Sequence, residues 1–171
     1  MSETRAAIRH HVERHPGVHF RALVRELDLA PGQVQYHLRR LRRGGRLVRE
    51  EYGGRTHFFT PNHDEATRRQ LAVLRRETAR EALEAIASRS TRRPATVAEE
   101  LGIARSTLEW HLSSLVEEGL LEKRHRADGT VELAPTDPDL VARRLAAVEP
   151  TVPDRLVDRF TRLADDLLYG D

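Results

Sequence analysis

The sequence predicts a mainly α fold with small β-hairpin wings, built twice in tandem and followed by C-terminal helices. Three observations predict it. The stretch VQYHLRRLRRGGRLV at 34–48 returns 74 residues later as LEWHLSSLVEEGLLE, with Leu38, Leu41, Gly45 and Leu47 answered by Leu112, Leu115, Gly119 and Leu121. Apolar residues ahead of each copy recur at helical spacing. Behind each copy, an alternating run folds back around Gly-Gly or Asp-Gly, as a hairpin requires.

In the first unit, Ala7, Ile8 and Val12 predict a helix over 3–15, stopped by Pro16-Gly17. Phe20, Leu23, Val24 and Leu27 define a short second helix, and DLAPGQ supplies the turn. Val34, Leu38 and Leu41 line a third helix that Gly44-Gly45 ends, and RLVREEYGGRTHFF reads as a hairpin. The second unit repeats this order. Residues 64–89 hold no Pro or Gly and carry Leu71, Leu74, Ala82, Leu83 and Ile86, which predicts one long first helix whose early part bridges the units. TVAEELGIARSTLEWHLSSL is the helix, turn and third helix, and LEKRHRADGTVELAP is the second hairpin. Two further helices are expected over 138–148 and 153–168, the last amphipathic through Leu156, Phe160, Leu163 and Leu167. The expected domains are therefore 1–63, 64–135 with the bridging helix, and a helical extension over 136–171.

Composition narrows the chemistry. The chain of 171 residues has no cysteine, which excludes a disulfide framework, a thiolate metal site and a cysteine nucleophile. It has no run of 18 apolar residues, and MSETRAAIRHH lacks the apolar stretch of a signal peptide. A soluble, unexported, cytoplasmic protein without membrane contact is expected. The formal net charge of +2 hides an asymmetry: residues 1–63 carry 12 arginines against 6 carboxylates, a net of +6, leaving −4 for the remainder. Of 29 basic residues only Lys123 is lysine, which suits bidentate contacts to phosphate or guanine and equally fits a GC-rich genome.

Three helices with a short turn between the second and third, then a hairpin, form the winged helix-turn-helix pattern. One stripe of the third helix, Val34, Leu38 and Leu41, faces inward. Gln33, Gln35, Tyr36, Arg39, Arg40 and Arg43 sit on or beside the opposite face, where amides and guanidinium groups can read base edges in the major groove. The segments HPGVHFRALVRELDLAPGQVQYHLRRL, GGRTHFFTP and ELGIARSTLEWHLSSLVEEGLLEKR resemble haloarchaeal-type transcriptional regulators with two winged helix-turn-helix domains, akin to the ArsR and MarR superfamilies. The resemblance covers 1–135 and extends to the tail PDRLVDRFTRL. It implies binding of double-stranded DNA by the third helix and wing, and usually a homodimer. It places the reading face on Gly32, Gln33, Gln35, Tyr36 and Arg39, with Arg55 at the wing. The matching surface of the second copy is Arg105, Ser106 and Thr107 at the helix start and Arg126 at its wing. Ala30 and Ala104 stand where related helices often begin with Ser or Thr.

Several residues have plainer readings. His37 and His111 precede a core leucine in both copies and are assigned to packing. Tyr36 and Trp110 divide evenly between stacking on the DNA backbone and partial burial. His11 and His15, one helical turn apart, could hold a metal with His19, but no carboxylate or second histidine pair stands at matching spacing, so no metal or other cofactor is expected. There is no phosphate loop, nucleophile elbow or triad order, so no enzyme is expected. The function expected is a nucleoid-associated transcriptional regulator whose first copy reads DNA, the second giving assembly or weaker contacts. An architectural nucleoid protein with little sequence preference and a protein-interaction scaffold are the alternatives. A homodimer through the C-terminal helices, with Leu71 and Leu74 contributing, completes the expectation.

Overall fold

The computed structural model describes residues 2–89 and 91–148. The first unit opens with α1 (Glu3–Arg14), α2 (Phe20–Glu26) and α3 (Pro31–Arg43), and closes with a hairpin of β1 (Val48–Tyr52) and β2 (Arg55–Phe59). The helices form because their apolar residues fall on one stripe each. Ile8, Val12, Ala22, Leu23, Val34, Leu38 and Leu41 are all buried in one cluster that the hairpin roofs with Leu47 and Phe58. Gly53 and Gly54 make the two-residue turn, and both adopt positive φ (54° and 74°), as a type I′ turn demands. An isolated bridge from Val18 to Phe58 adds a third chain segment beside β2.

After α4 (Glu65–Leu74), the second unit repeats the order with α5 (Glu77–Ala87), α6 (Pro94–Leu101), α7 (Arg105–Glu117), β3 (Leu121–His125) and β4 (Val131–Pro135). Starts match at the sequence offset of 74: Glu3 with Glu77, and Pro31 with Arg105. The bridge from Arg92 to Leu133 repeats that from Val18 to Phe58, at an offset of 74 at the first partner and one residue more at the second. The fold is thus mainly helical with two small antiparallel hairpins. Helix α8 (Pro138–Ala147) follows, its N-cap Asp137 accepting from the Asp139 and Leu140 amides. The helix expected over 153–168 lies outside the described residues.

The single long helix expected over 64–89 is two helices. The chain breaks at Arg75 and Arg76, where the last amides of α4 tighten onto carbonyls three residues back and Arg76 turns extended (φ −83°, ψ 120°). No proline or glycine causes this; tertiary anchoring does. Arg75, fully buried, donates from Nε and Nη2 to the Pro16 carbonyl at 3.0 and 2.8 Å. Arg76 donates from Nη2 to the Gly53 carbonyl at 2.7 Å. Folding back also lets Leu71 and Leu74 of α4 share one cluster with Leu83 and Ile86 of α5, which a straight helix of that length would pull apart. Leu71 and Leu74 are therefore core residues of their own chain and do not contribute a surface to a dimer.

The two units are joined by packing as well as by chain. In β2, neighbouring side chains point to opposite faces, so Phe58 enters the first core while Phe59 enters the second. Tyr52 of β1 packs against that second cluster too. A Cβ on Gly17 would lie 3.2 Å from the Phe59 ring, and Gly17 has φ +82°, so this loop position accepts little but glycine. Helix α4 lies between the halves, with Arg68 paired to Glu50 of β1 at 3.0 Å and Arg69 to Glu118 beside α7 at 3.2 Å. Helix α8 docks on α4 and α5, burying Val141, while Arg144 bonds Gln70 and Thr67.

Candidate nucleic-acid interface

Helix α3 presents a cationic outer face. Gly32, Gln33, Gln35, Tyr36, Arg39, Arg40 and Arg43 are all exposed, as are Arg42 and Arg46. Among the described residues, the side chains of Arg39, Arg42, Arg43 and Arg46 stand in no ion pair or hydrogen bond. Arg40 donates to the Tyr36 hydroxyl at 3.1 Å and lies over that ring, its guanidinium carbon 5.7 Å from the centroid. Such a pair stiffens two long side chains without neutralising the charge. A Cβ at Gly32 would meet nothing within 4 Å, so the first turn of the helix is bare.

The helix start explains how α3 manages without Ser or Thr at position 30. Ala30 has no side-chain acceptor, and Gln33 Oε1 instead accepts from the Ala30 amide at 3.2 Å, which is half of a capping box. Part of the Gln33 carboxamide is therefore committed to the helix itself, which spacing alone did not reveal. At the other end Gly44 and Gly45 close the helix, Gly45 with φ +64°.

Several histidines of the first copy have defined partners. His57 is buried, its Nδ1 donating to the Gly17 carbonyl at 3.0 Å, and its ring lies 4.4 Å from that of His19. Burial, then the nearby His19, lower its pKa to about 3. His19 Nδ1 donates to the Thr56 carbonyl of the wing at 2.8 Å, and the His11 and His15 rings meet at a tilt, 4.5 Å apart. Among the described residues no three metal-capable side chains converge. His37 packs edge-on against Tyr36, and burial, ahead of the Arg5 and Arg40 charges, lowers its pKa. His111 is buried in α7.

The second copy presents the same backbone with a different surface. Arg105 and Ser106 are exposed and Thr107 half-buried at the start of α7. Arg105 lies 3.5 Å from Glu109, which also takes Lys123 at 2.7 Å, and the Lys123 hydrogen bond holds the Glu109 carboxyl below its usual range. On the second hairpin Arg126 pairs with Glu132 at 2.8 Å and Arg124 with Glu122 at 2.5 Å. Further along α7, Trp110, Ser114 and Glu117 border a cleft whose other wall is the first hairpin. Arg55, at the start of β2, is half-buried.

This repeated geometry agrees with two family matches. Residues 2–71 match a family described as an N-terminal HTH domain, and residues 79–125 match the IclR helix-turn-helix domain. The chain therefore carries two helix-turn-helix domains in tandem. The ArsR, MarR and archaeal parts of the resemblance rest on the sequence segments alone. No curated protein matches the chain. Among solved structures, the chain is 19% identical to ScpB from Mycobacterium tuberculosis over 84% of this chain and 94% of that one, with a TM-score of 0.33. It is 20% identical to a conserved hypothetical protein from Chlorobium tepidum over 84% and 98%, with a TM-score of 0.32. Neither likeness carries an argument. Among the described residues, no helix is long and apolar enough to cross a membrane.

Proposed function

We infer that the protein is a non-enzymatic, DNA-binding transcriptional regulator in which α3 and the first hairpin meet duplex DNA and the second helix-turn-helix serves assembly or weaker contact. The observation that carries this is the contrast in ionic pairing. Four arginines on or just beyond α3 have no ionic partner among the described residues. The basic groups at the start and wing of the second copy each face a carboxylate. Free guanidinium groups release counterions from DNA and read guanine edges, whereas a paired one must first leave its carboxylate. The reading residues are then Gly32, Gln33, Gln35, Tyr36, Arg39, Arg40 and Arg43, with Arg55 at the wing, and Arg105, Ser106, Thr107 and Arg126 as the weaker set. The working division is 1–63, 64–135 and 136–171.

The test is binding of the full chain to selected genomic fragments and to random duplex at several salt concentrations. A sequence preference supports the regulator, uniform salt-dependent binding makes it an architectural nucleoid protein, and absence of binding leaves a protein scaffold. We also assign a homodimer to the C-terminal segment. Since α8 uses Val141 and Arg144 within its own chain, the amphipathic pattern at Leu156, Phe160, Leu163 and Leu167 is what remains to pair. Light scattering should give a dimer mass for the full chain and a monomer mass for a chain ending at Val148. Equal association states would remove this segment from the interface.

A further inference from the structure

A cleft of about 350 Å³ between the two copies lies away from the cationic face of α3, and Glu50, Glu51, Tyr52, Arg76, Trp110 and Glu117 line it. Two of these are aromatic, in a chain where aromatics make up only 5%. Trp110 is the single tryptophan and is 53% exposed, which leaves much of an indole open to whatever enters. An indole face attracts cations through its quadrupole. The chain already supplies one: the Arg76 guanidinium carbon stands 4.8 Å from the Trp110 ring centroid.

The rim holds one carboxylate that no ion pair engages among the described residues. Three carboxylates, Glu50, Glu51 and Glu117, face two arginines, Arg69 and Arg76. Glu50 is tied to Arg68 and Glu51 to Arg49, while Arg69 is held by Glu118. Glu117 is exposed and has no ion pair among the described residues. It follows Trp110 by seven residues, two turns along the same face of α7. The cleft therefore joins an aromatic face that already holds a planar cation to a carboxylate with no cation of its own.

We propose that this cleft is a binding site for a small organic cation, of the quaternary ammonium or alkylguanidinium type, which takes the place of Arg76 on Trp110 with Glu117 as counter-ion. An anion meets the like charge of Glu117, and a neutral ligand gains neither the quadrupole nor the charge. Competition with Arg76 gives the site an effect at a distance. The same guanidinium donates to the Gly53 carbonyl at the tip of the first hairpin, and lies so near that a Cβ on Gly53 would stand 2.5 Å from its Nη2. A cation seated on Trp110 releases that tip. The binding itself involves no nucleic acid, so it stands or falls independently of the DNA reading.

Trp110 reports on its own site. Choline chloride is titrated into the full chain while tryptophan emission is followed, with its uncharged isostere 3,3-dimethylbutan-1-ol and equal sodium chloride as controls. A saturable change with choline alone is expected. Glu117→Gln should weaken it by about two- to fivefold, the upper range of one exposed ion pair. Arg76→Gln, which removes the internal competitor, should strengthen it. A linear response that the uncharged alcohol reproduces overturns the proposal, as does weaker choline binding in Arg76→Gln. If Arg76→Gln loses its helical circular dichroism, Glu117→Gln decides alone, and unchanged affinity there overturns the site.

Discussion

Helices α3 and α7 are both 13 residues long, both begin after an alanine without a side-chain cap, and both end before a glycine of positive φ. Leu38 and Leu41 occupy the buried positions that Leu112 and Leu115 occupy 74 residues on. Outside that stripe they part. The arginines at 39, 40 and 43 become Ser113, Ser114 and Glu117, and Ser113 and Ser114 turn their hydroxyls back onto carbonyls of their own helix, at 2.9 and 3.4 Å. Core positions obey one packing problem twice, because burial rewards the same shapes in both copies. Surface positions answer to whatever they touch, and the two copies touch different things.

The comparison can be broken first at the charges. Arg39→Ala combined with Arg43→Ala should lower DNA affinity by roughly 1–3 kcal/mol for each arginine that reads a base, and flatten the salt slope for each that touches only phosphate. Arg105→Ala with Arg126→Ala should have a distinctly smaller effect in the same titration. Equal losses would mean that both copies engage DNA alike.

The shared frame is tested next. Leu38→Ala and Leu112→Ala, both at buried stripe positions, should each cost about 2–5 kcal/mol in urea unfolding. A difference between them larger than that spread would show that the copies do not solve the same packing problem.

A third measurement exploits a group found in one copy only. His57 is neutral in the folded chain down to about pH 3, whereas an unfolded histidine takes up a proton below about pH 6.5. Its contribution is therefore complete above about pH 6.5 and is lost as pH falls. Between pH 7 and 5 this amounts to roughly 2 kcal/mol. His57→Gln keeps a donor for the Gly17 carbonyl and should lose correspondingly less stability over that interval. An identical pH dependence would mean that burial does not hold the ring neutral.

The smallest expected effect separates the hairpins. Gly53→Ala and Gly129→Ala both place a side chain at positive φ, costing about 1–2 kcal/mol each. Only the first also displaces Arg76, since a Cβ at Gly129 would meet nothing within 4 Å. Gly53→Ala alone should therefore alter the emission of Trp110.

Periodicity and the 74-residue repeat made the helices, the hairpins and the stripe of α3 legible, because core burial writes itself into spacing. The repeat even held the start of α5, since Glu3 shifted by 74 is Glu77. Reading 64–89 for breakers hid it: the break comes from two arginine anchors reaching Pro16 and Gly53, contacts 59 and 23 residues distant in the chain. The cationic face of α3 was equally visible as a run of arginines. The neutralisation of Arg105 and Arg126 was not, because Glu109 and Glu132 look like any other acids until the fold sets them alongside. Nor could spacing bring Trp110 under Arg76.

The buried guanidinium of Arg75 has a consequence for how the molecule comes apart. Two of its donors rest on one carbonyl of the first unit, and Phe59 crosses the same seam in the opposite direction. Melting the first unit alone would strip two hydrogen bonds from the buried Arg75 guanidinium and open the second core at Phe59. Partial unfolding is thereby penalised on both sides of the seam. Two units that read as beads on a string should denature in a single cooperative transition, with no half-folded species accumulating between them.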